Sequence, residues 1–182
     1  MPLPVWVIGS YGEDGSPGLI TAAWCGICCS EPPSVGISLR KSRLSYANIF
    51  ARGAFTVNIP SQQYCAAVDY IGLVSGKAVD KFLATGLTPV RSGLVDAPYI
   101  DEFPLILECT VVSSADLGTH TLFIGKIEDV KAELAILGKT GLPELLRVNP
   151  IICSPTDKNY YEISRKLGPI YAFGRKLGKE QM

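Results

Sequence analysis

The sequence predicts a mainly β fold with inserted helices, arranged as a closed or nearly closed antiparallel barrel. Three observations carry that prediction. Runs of two-residue period recur along the chain, among them Val35-Ile37-Leu39, Phe55-Val57-Ile59 and Leu105-Leu107-Cys109. Clusters of turn residues, Gly12 to Gly18 and Ala115 to Gly118, separate neighbouring runs at hairpin distance. Segments of helical period fall between strands and are too short to hold a core of their own.

The elements follow in order. Val5, Val7 and Ser10 form a first strand, and residues 19–29 return as a second, so 4–29 reads as a hairpin with a long loop. Glu31-Pro32-Pro33 interrupts the chain before a strand on Val35, Ile37 and Leu39. Tyr46, Ile49 and Phe50 then share one face of a short helix that Gly53 stops. Phe55 to Ile59 is a strand ended by Pro60. Tyr64, Val68, Ile71 and Leu73 suggest an amphipathic helix over 61–74, and Asp80-Lys81-Phe82 a short helical turn; 61–97 is a helical insertion. Residues 104–114 and 120–134 form a second hairpin, with Leu122, Ile124, Lys126, Glu128 and Val130 on one face. A weak helix over 142–148, a short strand over 150–153 and a polar-apolar tail over 160–176, of a kind that often docks on a partner subunit, complete a single domain spanning 1–182.

Composition narrows the function. With 47% apolar and 19% charged residues the chain is globular. Seventeen residues of each sign give zero net charge, so no electrostatic case for nucleic acid or a membrane surface arises. The N-terminus lacks a basic region and has a short apolar run, unlike a signal peptide, and no apolar run nears the roughly 18 residues of a membrane span. A cytoplasmic protein is expected. The six cysteines include Cys25, Cys28 and Cys29. On a strand, residues i and i+3 face opposite ways, so Cys25 and Cys28 are read as small buried hydrophobes and not as metal ligands. No glycine-rich dinucleotide fingerprint, Walker loop or nucleophile elbow is present, and His120 is the sole histidine.

The most informative stretch is Arg40-Lys-Ser42-Arg-Leu-Ser45, three cations and two hydroxyls just before a helix. Helix N-terminal amides, the helix dipole and guanidinium donors together suit a phosphate; the same run also reads as a solvated turn. The small residues Thr21, Ala22 and Ala23 permit close approach of a ligand or backbone. Trp24 offers either a flat aromatic surface or core packing.

Taken together, several short pieces resemble the flavin reductase-like, FMN-binding split-barrel family, flavoredoxins included. They are Thr21-Ala-Ala-Trp24, Pro33-Ser-Val-Gly-Ile-Ser38, Arg43-Leu-Ser45 and Phe55-Thr-Val-Asn58-Ile-Pro60, then Ser75-Gly76, Val79-Asp80-Lys81-Phe82, Gly86-Leu-Thr88, Pro104-Leu-Ile-Leu-Glu108-Cys109 and Gly118-Thr-His120-Thr-Leu-Phe-Ile-Gly125, with a closing stretch from Tyr161 to Gly174. The resemblance implies a split barrel holding FMN non-covalently at a homodimer interface. It places the phosphate on the loop from Leu39 through Arg40 and Ser42 to Ser45, with Ser45 standing where the family often has Thr. It sets Thr21, Ala23 and Trp24 along the isoalloxazine, and Lys81 and His120 within reach of the flavin. Gly18 stands where relatives often carry Asn, so one polar contact is expected to be missing. The flavin carries the chemistry, and no catalytic side chain is expected. Two activities follow from the resemblance: flavin reduction by NADH or NADPH, or electron carriage between FMN and a redox protein partner.

Overall fold

The computed structural model describes residues 1–177; residues 178–182, the end of the expected 1–182 domain, lie outside the described residues. In chain order the strands are β1 (Leu3–Pro4), β2 (Trp6–Tyr11), β3 (Pro17–Ala22), β4 (Cys25–Ser30), β5 (Pro33–Arg40), β6 (Ala54–Ile59), β7 (Pro89–Arg91), β8 (Pro98–Ile100), β9 (Leu105–Asp116), β10 (His120–Ala132), β11 (Ile152–Ser154) and β12 (Asn159–Tyr161). The helices are α1 (Leu44–Arg52), α2 (Cys65–Leu73), α3 (Lys81–Thr85), α4 (Leu145–Val148) and α5 (Ala172–Leu177).

Seven strands form one antiparallel sheet in the order β3-β2-β6-β9-β10-β5-β4. Its two edges, β3 and β4, are joined by only Ala23 and Trp24. Two residues span well under 10 Å, so the sheet must curl until its edges meet. That closure, incomplete at the β3–β4 seam, makes a split barrel. Its core comprises Ile8, Val35, Ile37, Ile49, Phe55, Val57 and Phe123, each at most 1% exposed. A second core, around Val68, Ile71, Phe82 and Ile100, seats α2 and α3 on the outer side of β2 and β3.

The mainly β, barrel-type reading therefore holds, with several corrections. The run 19–29 is two strands: β3 pairs with β2, whereas β4 pairs with β5 across the sheet. A continuous apolar run carries no mark of the two-residue crossover at Ala23-Trp24. Helix α1 buries Ser45, Asn48 and Ile49, whereas Phe50 is 67% exposed and stacks on Tyr46. The i, i+3, i+4 rule found the period and missed its phase, because Ser45 and Asn48 are polar. Leu73 is 77% exposed, past the turn that carries Val68 and Ile71. The 61–97 insertion also contains the start of a small hairpin, β7–β8. The tail supplies β12, which pairs with β11. Cys28 and Cys29 are exposed, not buried: β4 is an edge strand with a bulge between Ile27 and Cys29.

The β7–β8 hairpin packs so tightly on the sheet that a Cβ on Gly9 would lie 2.2 Å from the Pro98 carbonyl oxygen. Thr56 donates to that carbonyl at 2.6 Å, and Asn58 accepts from the Ile100 amide at 2.8 Å. Beside them Glu108 is fully buried, with Lys131 Nζ 3.1 Å from its carboxylate. Among the described residues no helix is long and apolar enough to cross a membrane.

Candidate functional site

A cavity of about 310 Å³ opens between β3, the start of α1 and the α2–α3 loop. Gly18, Arg43, Ser45, Asn48, Lys77 and Lys81 contribute its polar and small-residue lining. Each position has a local cause. Strand β5 ends at Arg40, and a turn in which the Arg43 amide donates to the Arg40 carbonyl (3.0 Å) launches α1. The residue capping α1 is Arg43, whose side chain makes no capping hydrogen bond, and the first turn holds no acid. The first amides of a helix have no intrahelical acceptor, so α1 presents free donors and a positive dipole end to the cavity. Gly53, in the left-handed region at φ 64°, ends the helix and returns the chain into β6.

Lys81 opens α3. The Asp80 side chain accepts from the Leu83 amide at 3.1 Å and caps that helix, fixing where the lysine starts. Lys81 is 6% exposed, and its Nζ donates to the Ile71 carbonyl at 2.6 Å. Burial first, and the Arg43 charge second, pull its pKa from 10.5 to about 8. An anion in the cavity would oppose both effects by favouring the charged form.

Asn48 went unnoticed in the sequence because it sits mid-helix beside apolar residues. It is buried, it reaches Ser10 Oγ at 3.4 Å, and its Nδ2 lies 3.4 Å from where a Gly18 Cβ would be. Arg43 and Lys77 were likewise passed over as site residues; the first lies inside the charged run that flagged the loop.

The expected site residues divide into four groups. Ser45 and Lys81 meet in this cavity. Thr21 and Ala23 line a neighbouring cavity of about 310 Å³ with Asp69, Cys153 and Tyr160. Both cavities share β3 as a wall; between them Thr21 packs on α2, where its Oγ1 donates to the Val68 carbonyl at 2.6 Å and a Cβ on Gly72 would lie 3.3 Å away. Trp24, on the crossover, is 51% exposed and is not a core residue. The remaining four lie outside the lining of the first cavity. Leu39 is buried in the barrel core, so its side chain cannot reach a phosphate. Arg40, the last residue of β5, and Ser42, in the turn that follows, are both exposed. His120 pairs with Arg40 in the β5–β10 register, and its Nδ1 lies 2.9 Å from Thr119 Oγ1.

The donor set suits a phosphomonoester: the cations Arg43, Lys77 and Lys81, the Ser45 hydroxyl and uncapped helix amides outweigh Asp80 in the lining of one pocket. It does not suit a metal, and among the described residues no group of three or more His, Cys, Asp or Glu side chains could hold one.

Residues 1–144 match the model of the flavin reductase like domain. The chain belongs to that family. Its fold superimposes on flavoredoxin of Desulfovibrio vulgaris (Miyazaki F) with a TM-score of 0.91 at 43% identity, over 95% of this chain and 93% of the other. Flavoredoxin from Methanosarcina acetivorans gives a TM-score of 0.90 at 29% identity, over 97% and 92%. A Moorella thermoacetica protein named high molecular weight rubredoxin is 26% identical over 156 residues, 82% of this chain and 60% of that longer protein.

Proposed function

We propose that this protein is an FMN-dependent oxidoreductase that holds the flavin non-covalently and takes electrons from NADH or NADPH. The single observation that carries the reading is the uncapped N-terminus of α1 opening into the same cavity as Arg43, Ser45 and Lys81. In this reading Arg43, Ser45 and the α1 amides bind the FMN phosphate, and Lys81 adds a cation whose burial strengthens its pull on an anion. Asn48 presents an amide to the cofactor beside Gly18. Thr21, Ala23 and Trp24 lie along the isoalloxazine. Arg40, Ser42 and His120 stand at the periphery, and Leu39 contributes backbone alone. Bound FMN supplies hydride and single-electron chemistry; the chain supplies position, a dry slot and charge.

Electron carriage to a redox protein is the second reading, favoured by the 43% identity to a flavoredoxin. A cytoplasmic homodimer with FMN at its interface belongs to the same proposal. Its support is the edge strand β4, which bears no charge and exposes Ile27, Cys28 and Cys29, and the set of free thiols typical of a reducing compartment.

Anaerobic titration of the FMN-loaded protein with NADH and NADPH separates the readings. Rapid bleaching by either nucleotide identifies a reductase and its donor. A flavin that ignores both and bleaches with dithionite identifies a carrier. Sedimentation velocity gives the oligomeric state independently.

A further inference from the structure

We propose that residues 164–177 form an arm that two copies of this chain exchange, each arm lying in an apolar groove of the other copy. The arm belongs to the homodimer put forward above, on which the proposal rests. The groove, of about 340 Å³, opens beside α4, and every residue that lines it is apolar, among them Pro4, Trp6, Ile59, Leu105 and Leu145. Ile163 lines it too, so the arm leaves the body at the groove's edge. No residue after Ile163 lines it, so the arm does not fill the groove of its own chain. Among the described residues no backbone hydrogen bond and no ion pair ties the arm to the body.

The arm has a local shape of its own. The Ala172 amide donates to the Pro169 carbonyl at 3.2 Å, Tyr171 takes the left-handed region at φ 66°, and a Cβ on Gly168 would lie 2.8 Å from the Phe173 ring. Ile170 and Tyr171 sit at the tip of that turn, and they, Leu167 and Leu177 are each at least 69% exposed. A single chain thus leaves both the groove and the arm open to water, and a two-fold exchange covers both at once. Aromatic side chains bury about 150–250 Å² each. With the aliphatic residues and the two grooves, two arms bury on the order of 1,500 Å², the size of a stable specific interface.

Charge selects a second copy as the occupant. Of the seventeen cations and seventeen acids, the arm holds Arg165, Lys166, Arg175 and Lys176 and no acid, and residues 178–182 hold one of each sign. Residues 1–163 therefore carry a net charge of −4 against +4 on the arm. Acids flank the groove. Asp157 and Glu162 line a cavity that shares Ile152 with it, and Glu102 and Glu133 line another that meets α4 at Arg147. Of the cations beside those acids, Arg147 is paired with Glu144, and the terminal amine donates to Thr156. Opposite charge steers the arm to the body of its partner, and apolar burial holds it there.

The test uses the full FMN-loaded chain with the photoreactive p-benzoylphenylalanine in place of the exposed Tyr171. Illumination is expected to give a product of twice the chain mass, with the cross-link mapped by peptide mass to the groove near Leu105, Leu145 or Ile152. Ile170→Ser combined with Tyr171→Ser is expected to raise the dimer dissociation constant about tenfold or more in sedimentation velocity. Both residues are exposed in the single chain, so a role confined to that chain predicts no change. Arg165→Glu combined with Arg175→Glu is expected to weaken the dimer about five- to tenfold and flatten its salt dependence. A cross-link within one chain, a cross-link outside the groove, no cross-link, or a dimer indifferent to the Ile170 and Tyr171 variant overturns the proposal. So does loss of the cross-link when the chain sediments with phosphatidylglycerol vesicles, which assigns the basic, apolar arm to a lipid surface. A chain that stays monomeric at every concentration overturns the homodimer reading as well, whereas a dimer whose cross-links miss the groove overturns the arm alone.

Discussion

Lys81 makes FMN affinity depend on pH in a calculable way. Without ligand its pKa is about 8, lowered by burial and by Arg43. A bound phosphate dianion stabilises the charged form and returns the pKa toward the ordinary 10.5. Below pH 8 the lysine is charged with or without ligand, and affinity is flat. Above pH 8 the free protein has lost the proton that the complex retains, so binding takes up a proton and weakens about tenfold per pH unit. If the bound value is fully restored, the loss between pH 8 and 10.5 totals about 300-fold, equivalent to roughly 3 kcal/mol. The same figure is the burden of burying the charge in the ligand-free protein. It is fully present below pH 8 and fades as pH rises to 10.5, because there the unfolded chain binds more protons. Lys81→Met is therefore expected to raise ligand-free stability at pH 7 by about 1–3 kcal/mol, since loss of the bond to the Ile71 carbonyl offsets part of the gain. FMN fluorescence quenching between pH 7 and 9.5, with wild type and Lys81→Met side by side, is the assay. A flat wild-type profile, or the same slope in the variant, refutes the reasoning.

Other expectations follow from single contacts. Lys131→Met leaves the buried Glu108 carboxylate without its cation and should cost about 3 kcal/mol, read by urea denaturation; Lys131→Met with Glu108→Leu should recover most of it. Asp80→Ala removes the α3 cap, should lower stability by about 1 kcal/mol, and should weaken FMN binding by loosening Lys81, visible in melting curves with and without FMN. Gly9→Ala drives a methyl group into the Pro98 carbonyl, whose backbone cannot turn aside; a loss of about 2–3 kcal/mol is expected in the same denaturation assay. Ser45→Ala removes one hydroxyl from the phosphate end and should weaken FMN binding about five- to tenfold while leaving riboflavin affinity unchanged.

Much of the barrel was legible because strand period and turn chemistry are local. The β9–β10 hairpin, β5, β6 and the Gly53 stop all follow from residues within a few positions of one another. The crossover at Ala23-Trp24 was not legible, because an apolar run looks the same whether it stays beside one neighbour or crosses to another. The phosphate end was legible as a charged loop before a helix. Which of its residues turn inward was not: Arg43 and Ser45 face the cavity, Arg40 and Ser42 face solvent, and Leu39 joins the core. That choice is set by the turn between β5 and α1, whose geometry depends on how α1 packs on β2. Asn48 was hidden for the same reason, since a polar residue mid-helix signals a site only once its neighbours across space are known.

The central claim is that the N-terminus of α1, with Arg43, Ser45 and Lys81, exists to hold the phosphate of FMN. Calorimetric titration of the cofactor-free protein with FMN and with riboflavin, which differ only in that phosphate, tests it most directly. The account predicts tight FMN binding and riboflavin binding weaker by about a hundredfold or more, the sum of two to three charge-assisted contacts of about 1.5 kcal/mol each. Equal affinity for the two flavins, or uptake of neither, would contradict it.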